Sequence, residues 1–481
     1  MIERHNADER TQIRKKVQVV SMESISIDEI LQITRGELLQ GNPAISIGNV
    51  AIDSRKIKNN ALYVPIIGET NNGHDYISQA FSNGAMVCLT QEKNRSFPSE
   101  MTVIYVVSTL AAMKALASFN RHRYNLPVIA ITGSSGKTTT KDLVAAVLTQ
   151  KFNTLKTEGN FNNEYGIPQT LFNLEPKHQI AVIEMGMDHL GDIKKSIELV
   201  DPSISVITNV GLSHIERLGT QDNIFLAKKE ILQTLAADGI AYINGDDDFL
   251  KKIKTEKNPY QVRTFGIDGE HDVKATHYTS TQEGLKIQVA WEGRNESYTF
   301  NYPGRHNVYN CLVAIGLGYF YGMTQAEIQR GLDAFVPSGN RMDISTMGSI
   351  KVINDSYNAN PDAMRASLDV LAALGRDYQR KIAILGDMLE MGEHGPAAHV
   401  EVGNYARDKV DLLIGVGELG QAICQGYDHA GTVYQAADAL SAGTCLKALI
   451  QPGDIILIKA SRGMRLERVI DFIKEGGKEW R

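Results

Sequence analysis

Cysteine is scarce and unpaired in this 481-residue chain: Cys88, Cys311, Cys424 and Cys445 stand apart, with no CxxC among them. That excludes a disulfide scaffold and fits a reducing cytoplasm. Long apolar runs are missing too. No stretch approaches the roughly 18 uncharged apolar residues of a membrane span, and the first residues, MIERHNADERTQIRKKVQVV, carry charge where a signal peptide needs an apolar core. Excess positive charge is also absent, since 50 Lys and Arg against 56 Asp and Glu leave a formal charge of −6. Such a balance disfavours non-specific attraction to nucleic acid or anionic lipid, so any anion has to be met by a local site. Neither tandem repeats nor low-complexity tracts interrupt the chain.

What remains is the composition of an ordinary globular protein, 43% hydrophobic and 22% charged, in a chain too long for one core. About three domains of roughly 150 residues are expected. Amphipathic patterning begins near Met22, so residues 1–21 are read as a disordered extension or a misassigned start. Residues 22–125 alternate short apolar runs with turns and a helical SQAFSNGA, as a small α/β module would. From 126 to 337 the strands VIAITG, IAVIEMG, ISVITNV and GIAYING are spaced by helical segments, which predicts a parallel sheet with crossovers. Alternation across 272–301, around the turn EGR, predicts antiparallel strands appended to that sheet. Residues 338–481 repeat strand and helix, with a last helix expected over GMRLERVIDFIK, as a second doubly wound unit.

The chemistry starts at ITGSSGKTTT, residues 131–140. A glycine turn between a buried strand and a helix aims backbone N–H groups and the helix dipole at an anion. Gly133, Ser134, Ser135, Gly136, Lys137, Thr138 and Thr139 form that turn, although the usual loop has a glycine where Ile131 stands. Lys137 supplies a point charge and Thr138 a hydroxyl for Mg²⁺. Glu184 ends the next strand, on the same edge of a parallel sheet, as a metal ligand or as a solvated carboxylate. His214 follows the third strand, as a ligand or as a structural histidine.

Other signals are weaker. DHLG at 188–191 imitates a switch GTPase, but no NKxD follows. Gly415, Gly417 and Gly420 spell GxGxxG after a strand, yet no acidic residue stands near Tyr434 to hold a ribose, so a fold-closing turn is expected rather than a dinucleotide site. In NDSYNANPDAMRASL, Asp355, Asn358 and Pro361 build a polar edge that Arg341 precedes, beyond what helix capping needs.

Taken in order, GSSGKTTT, the Glu184 strand, His214, LAKKE, GRHNVYNCLVA and NDSYNANP resemble the ATP-dependent Mur ligases of bacterial peptidoglycan synthesis. The likeness spans 22–481 in three domains: a UDP-sugar-binding module, a P-loop ATPase domain whose short loop is the family's own form, and a Rossmann-like domain. SYNANP, with AILGDMLEMGEHG and NFNNEYGIP, looks like the branch that adds D-Ala-D-Ala to UDP-N-acetylmuramoyl tripeptide.

The resemblance implies that the γ-phosphate of ATP passes to the tripeptide's terminal carboxylate, and that the amine of D-Ala-D-Ala attacks the acyl phosphate. Two Mg²⁺ ions are implied, one on Thr138 and Glu184, the other on His214 and a carbamoylated Lys228. By residues alone Lys228 is a solvated helix cation, and the neighbouring Lys229 leaves the register open. Asn307 and Asn310 would face adenine, with Arg341, Asp355 and Asn358 closing over the nucleotide. Ser54, Arg55, Gly73 and His74 would hold the UDP end, and Asn162 and Asn163 the muramoyl side. A cytoplasmic monomer is expected, with no nucleic acid and no membrane insertion. Rival readings are folylpolyglutamate synthase or the diaminopimelate- or lysine-adding relatives, although no DNPR signature is present and NDSYNANP differs from DGAHNP. A non-catalytic nucleotide-binding or redox module is the rival of another class.

Overall fold

The computed structural model describes residues 22–428 and 430–475; the extension expected over 1–21 lies outside the described residues. The fold is α/β throughout, in two compact units. The described residues up to Asn125, with Pro168–Lys177, make one; Leu126–Ile167 and the chain from His178 make the other. Pro168–Lys177 joins the first because the buried Asn120 donates its amide to the carbonyl of Leu171 at 2.9 Å.

In the first unit, strands β1 (Glu37–Gln40), β2 (Asn49–Ala51), β3 (Ala61–Tyr63), β4 (Ala85–Thr90) and β5 (Thr102–Tyr105) lie in the order β1-β5-β4-β3-β2. All pairs but β1–β5 are parallel.

The second unit holds two sheets. The larger has nine strands: β6 (Val128–Thr132), β7 (Thr154–Lys156), β8 (Ile180–Glu184), β9 (Ile204–Ile207), β10 (Ile240–Asn244), β11 (Gln261–Gly266), β12 (Val273–Thr281), β13 (Gly284–Trp291) and β14 (Arg294–Phe300). Their order is β14-β13-β12-β11-β10-β9-β6-β8-β7, so β6 sits centrally between β9 and β8. Strands β6, β8, β9 and β10 are buried throughout and largely apolar without alternation, because helices cover both faces of a parallel sheet, while the edge strand β7 is half-buried. Ile129, Ile131, Val182 and Val206 pack with Leu143 and Val147 of helix α1 (Lys137–Leu148) in one core. The expected antiparallel extension is β12–β14, and its EGR turn has Glu292 at φ 43° and Gly293 at φ 78°, the two left-handed residues a two-residue hairpin needs. Edge strand β14 does not end in bare backbone. The side-chain amide of Gln329 donates to the carbonyl of Thr299 and accepts from its N–H, both at 2.9 Å.

The second sheet contains β15 (Asp343–Met347), β16 (Ile350–Asn354), β17 (Arg380–Gly386), β18 (Leu412–Val416), β19 (Thr432–Ala436) and β20 (Asp454–Lys459), ordered β15-β16-β20-β17-β18-β19. All pairs are parallel except β15–β16. The single helix expected over GMRLERVIDFIK is broken. Arg465 adopts φ 50° between two 3₁₀ turns, Arg462–Met464 and Leu466–Arg468, which sets Leu466 into the core before a helix resumes at Val469.

Candidate active site

The phosphate loop forms where β6 meets α1, and its shape is set by the residues that follow β9. Ser134 N donates to Asn209 O at 3.0 Å and Ser135 N to Asn209 Oδ1 at 2.9 Å. The Ser134 hydroxyl donates to Gly211 O and accepts from Gly211 N, at 3.2 and 2.8 Å. Asn209 Nδ2 reaches Ser135 Oγ at 2.8 Å. Both serine side chains therefore face the chain, not an incoming phosphate. Gly133 lies so close to β9 that a Cβ would sit 1.8 Å from Thr208 Oγ1. Gly136, at φ 78°, makes the left-handed step into the helix.

Downstream, the amides of Gly136, Lys137, Thr138 and Thr139 have no hydrogen-bond partner among the described residues. Four free N–H groups at the N-terminus of a twelve-residue helix make an anion cradle. Lys137 Nζ folds back onto Gly133 O at 2.6 Å. Burial pushes its pKa down, the carboxylates of Glu184 and Asp188 oppose this, and Arg341 adds to it.

Asn307 and Asn310 brace the loop from behind. Asn307 Nδ2 donates to Pro303 O at 2.9 Å, Asn310 Nδ2 to Asn307 Oδ1 at 3.0 Å, and Thr140 Oγ1 to Asn310 Oδ1 at 2.9 Å. The side chains expected to face adenine are thus engaged within the protein.

Glu184 is 1% exposed, with Oε1 accepting from Asn162 Nδ2 at 2.7 Å and Oε2 unpartnered. A buried carboxylate oxygen without a donor costs free energy and fits a hard cation. Asn162, expected on the muramoyl side, here orients that carboxylate, while Asn163 Oδ1 accepts from the amides of Tyr165 and Gly166 at 3.1 and 2.9 Å. Lys228 is equally buried, 1% exposed, on helix α2 (Gln221–Lys229), and its side-chain amine has no hydrogen bond or ion pair among the described residues. Burial drives its pKa well below the usual lysine range, and the charge of Lys137 drives it further. An unpaired, desolvated amine that gives up its proton this readily is a nucleophile for CO₂, and the carbamate would offer oxygen ligands. The residues present therefore fit Mg²⁺. Lys229 differs: it is partly exposed and ion-paired with Glu256.

His214, at φ 65°, brings two residues that the sequence reading missed. Its Nδ1 lies 2.7 Å from Glu390 Oε2 and 3.4 Å from Asp188 Oδ1, and Arg217 holds Asp188 at 3.0 Å. Contact with His214 keeps the Glu390 carboxyl below its ordinary range, against the effect of burial. Donor atoms of Asp188, His214 and Glu390 lie within 4.8 Å of one another. The link between Glu390 and His214, 176 positions apart in the sequence (390 − 214), has no local signature.

Beside the second sheet, Asp355 is anchored by Lys459 Nζ at 2.5 Å and Ser367 Oγ at 2.6 Å, and it accepts from Met342 N at 3.1 Å. It thereby fixes the turn that carries Arg341, whose guanidinium lies 3.7 Å from the centre of the Tyr357 ring. Asn358 is exposed, and its carbonyl accepts from Lys459 at 3.1 Å.

The GxGxxG turn is full. Asp387 Oδ2 accepts from Glu418 N at 3.1 Å and Oδ1 from Leu419 N at 3.0 Å, so the amides a dinucleotide would need are taken by the chain's own carboxylate.

Within the first unit, Ser54 donates its hydroxyl to Gln79 Oε1 at 2.7 Å, and Gly73 O accepts from Tyr63 OH at 2.8 Å. Arg55, 78% exposed, forks onto Asp53. His74 is fully buried; Nε2 accepts from Gln91 N at 3.1 Å, which leaves the proton on Nδ1, 2.8 Å from Asn72 Oδ1. Burial lowers its pKa.

A lysine-bearing anion cradle and an orphaned carboxylate oxygen on one parallel-sheet edge, with a buried helix lysine that feels the charge of Lys137, are the parts of an ATP-dependent ligase. Three family profiles match: Mur ligase family, catalytic domain, over 46–121; Mur ligase middle domain over 131–318; and Mur ligase, glutamate ligase domain, over 340–462. The chain belongs to the Mur ligase family. It is 34% identical over 463 residues to the UDP-N-acetylmuramoyl-tripeptide--D-alanyl-D-alanine ligase of Bacillus subtilis, covering 94% of this chain and 98% of that protein. The crystal structure of MurF from Acinetobacter baumannii superposes with a TM-score of 0.87 at 29% identity, over 94% of this chain and 99% of that one. MurF from Thermotoga maritima, solved with ADP, shares the fold at a TM-score of 0.78, 24% identity, and 90% and 98% coverage.

Proposed function

We propose that the chain joins D-alanyl-D-alanine to UDP-N-acetylmuramoyl tripeptide while ATP is split into ADP and phosphate. The tripeptide's terminal carboxylate attacks the γ-phosphorus and ADP departs, leaving an acyl phosphate. The dipeptide's amine adds to that carbonyl, and the tetrahedral intermediate expels phosphate as the peptide bond closes. Lys137 and the free amides of Gly136 to Thr139 hold the triphosphate and meet the charge that gathers as two anions react. Thr138, Glu184, His214 and, once carbamoylated, Lys228 would hold two Mg²⁺ ions, which would supply Lewis-acid polarisation of the phosphoryl oxygens. Arg341, Asp355 and Asn358 face the nucleotide from the Rossmann-like domain, and Ser54, Arg55, Gly73 and His74 serve the UDP end. The functional domains are 22–125, 126–337 and 338–481, working in a cytoplasmic monomer.

The observation that carries this reading is the convergence of unpartnered groups at one loop: four amides, the Glu184 oxygen and the Lys228 amine. Phosphate release measured with ATP, UDP-N-acetylmuramoyl tripeptide and D-Ala-D-Ala should require all three. Release that persists without the dipeptide, or that never exceeds the ATP-only rate, sinks the assignment.

A further inference from the structure

One serine outside every glycine motif ties the phosphate loop to the domain that follows. Ser213 Oγ donates to Ser134 O at 3.1 Å and accepts from Asn360 Nδ2 at 2.7 Å. Asn360 is the N-cap of helix α3 (Pro361–Leu374), its Oδ1 accepting from Ala363 N at 2.8 Å. Its amide can therefore point only one way, nitrogen toward Ser213. A hydroxyl has one proton, and with Asn360 donating to the oxygen, that proton is directed at Ser134 O. The N–H of the same peptide plane is held by Asn209 Oδ1. The plane just upstream of the free amides is thus fixed on both sides, and one of the two restraints, Ser213, is itself oriented by Asn360 of the Rossmann-like domain.

Gly211 makes the approach possible. A Cβ there would lie 2.4 Å from Asp362 Oδ2, and Asp362 is itself pinned by Arg365 at 2.7 Å.

We infer that Ser213 and Asn360 are positioning residues that couple docking of the Rossmann-like domain to the shape of the ATP loop. The inference rests on the ligase reading for its purpose, but its test needs only ATP. If docking orders the loop, ATP must favour docking by the same factor.

Three variants of the full chain are compared by calorimetric ATP titration, thermal melting and ATP-dependent protection of residues 336–341 from protease. Ser213→Ala removes the bridge. Asn360→Asp keeps the cap on Ala363 but offers Ser213 an acceptor, drawing its proton off Ser134 O. Each should weaken ATP binding about five- to tenfold, with Tm close to wild type and loss of the protection. The double variant should bind ATP no more weakly than the worse single one. Effects that multiply, or singles with unchanged affinity, overturn the coupling. Because no acceptor substrate is present, this outcome is independent of which carboxylate and amine the enzyme joins.

Discussion

Two glycine turns in this chain follow parallel strands and open helices, and only one is prepared for an anion. At Gly133–Thr138 the upstream amides are tied to Asn209, while four downstream amides are left free. At Gly415–Gly420 the corresponding groups are closed by Asp387, and a Cβ on Gly417 would come within 2.4 Å of that carboxylate. Glycine spacing reports how close a backbone can come to a neighbour. It does not report whether the neighbour is a ligand or the protein itself.

The sharpest way to break this contrast is Lys137→Ala, which removes the cation fixed beside the open loop. Turnover should fall by about 10² to 10³ or more, while the melting temperature holds; near wild-type phosphate release would refute the assignment. Lys228→Ala should lose most activity and regain part of it with a short carboxylic acid, whereas Lys229→Ala, on the ion-paired neighbour, stays mild. An inactive Lys229→Ala beside an active Lys228→Ala would reverse the assignment.

At the closed loop the effects should be on stability. Asp387→Ala strands the amides of Glu418 and Leu419 at roughly 1–3 kcal/mol each, so Tm falls, and added phosphate or sulfate should restore part of it by filling the opened cradle. A Tm that ignores both the mutation and the anion would show that Asp387 does not plug the turn.

The smallest effect is in pH. Burial raises the Asp387 pKa, so the folded chain holds this proton more tightly than the unfolded one. Its contribution is full below the ordinary carboxyl range and is lost as pH rises through the raised value. The Tm gap between wild type and Asp387→Asn should therefore narrow as pH rises above the ordinary carboxyl range; a gap that widens contradicts the shift.

Local order was legible where the period of the sequence matched the element. The parallel strands around β6, the hairpin at Glu292–Gly293 and the phosphate loop all announce themselves within about ten residues. Lys137 and Glu184 were legible because motif and sheet topology place them on one edge, whereas Lys228, a solvated helix cation by residues alone, was named only through the family resemblance. Asn209, Ser213, Asp188 and Glu390 were not, since each acts on a residue distant in sequence and resembles any polar loop residue. Asn162 was found but given a different task, because only the fold brings it against Glu184. The break at Arg465 was invisible for a similar reason: burying Leu466 outweighs an unbroken helical pattern.

The glutamine on the outer edge of the nine-stranded sheet bears on how the protein behaves when concentrated. An open β-edge is a template for another chain, and extended sheets pay for it with fibrils and precipitates. By pairing with both backbone groups of Thr299, Gln329 imitates one residue of a missing neighbour strand and ends the ladder there. A side chain with no part in the chemistry thus caps the edge against another strand, and Gln329→Ala should show its loss as turbidity over days of storage, with activity per folded molecule unchanged.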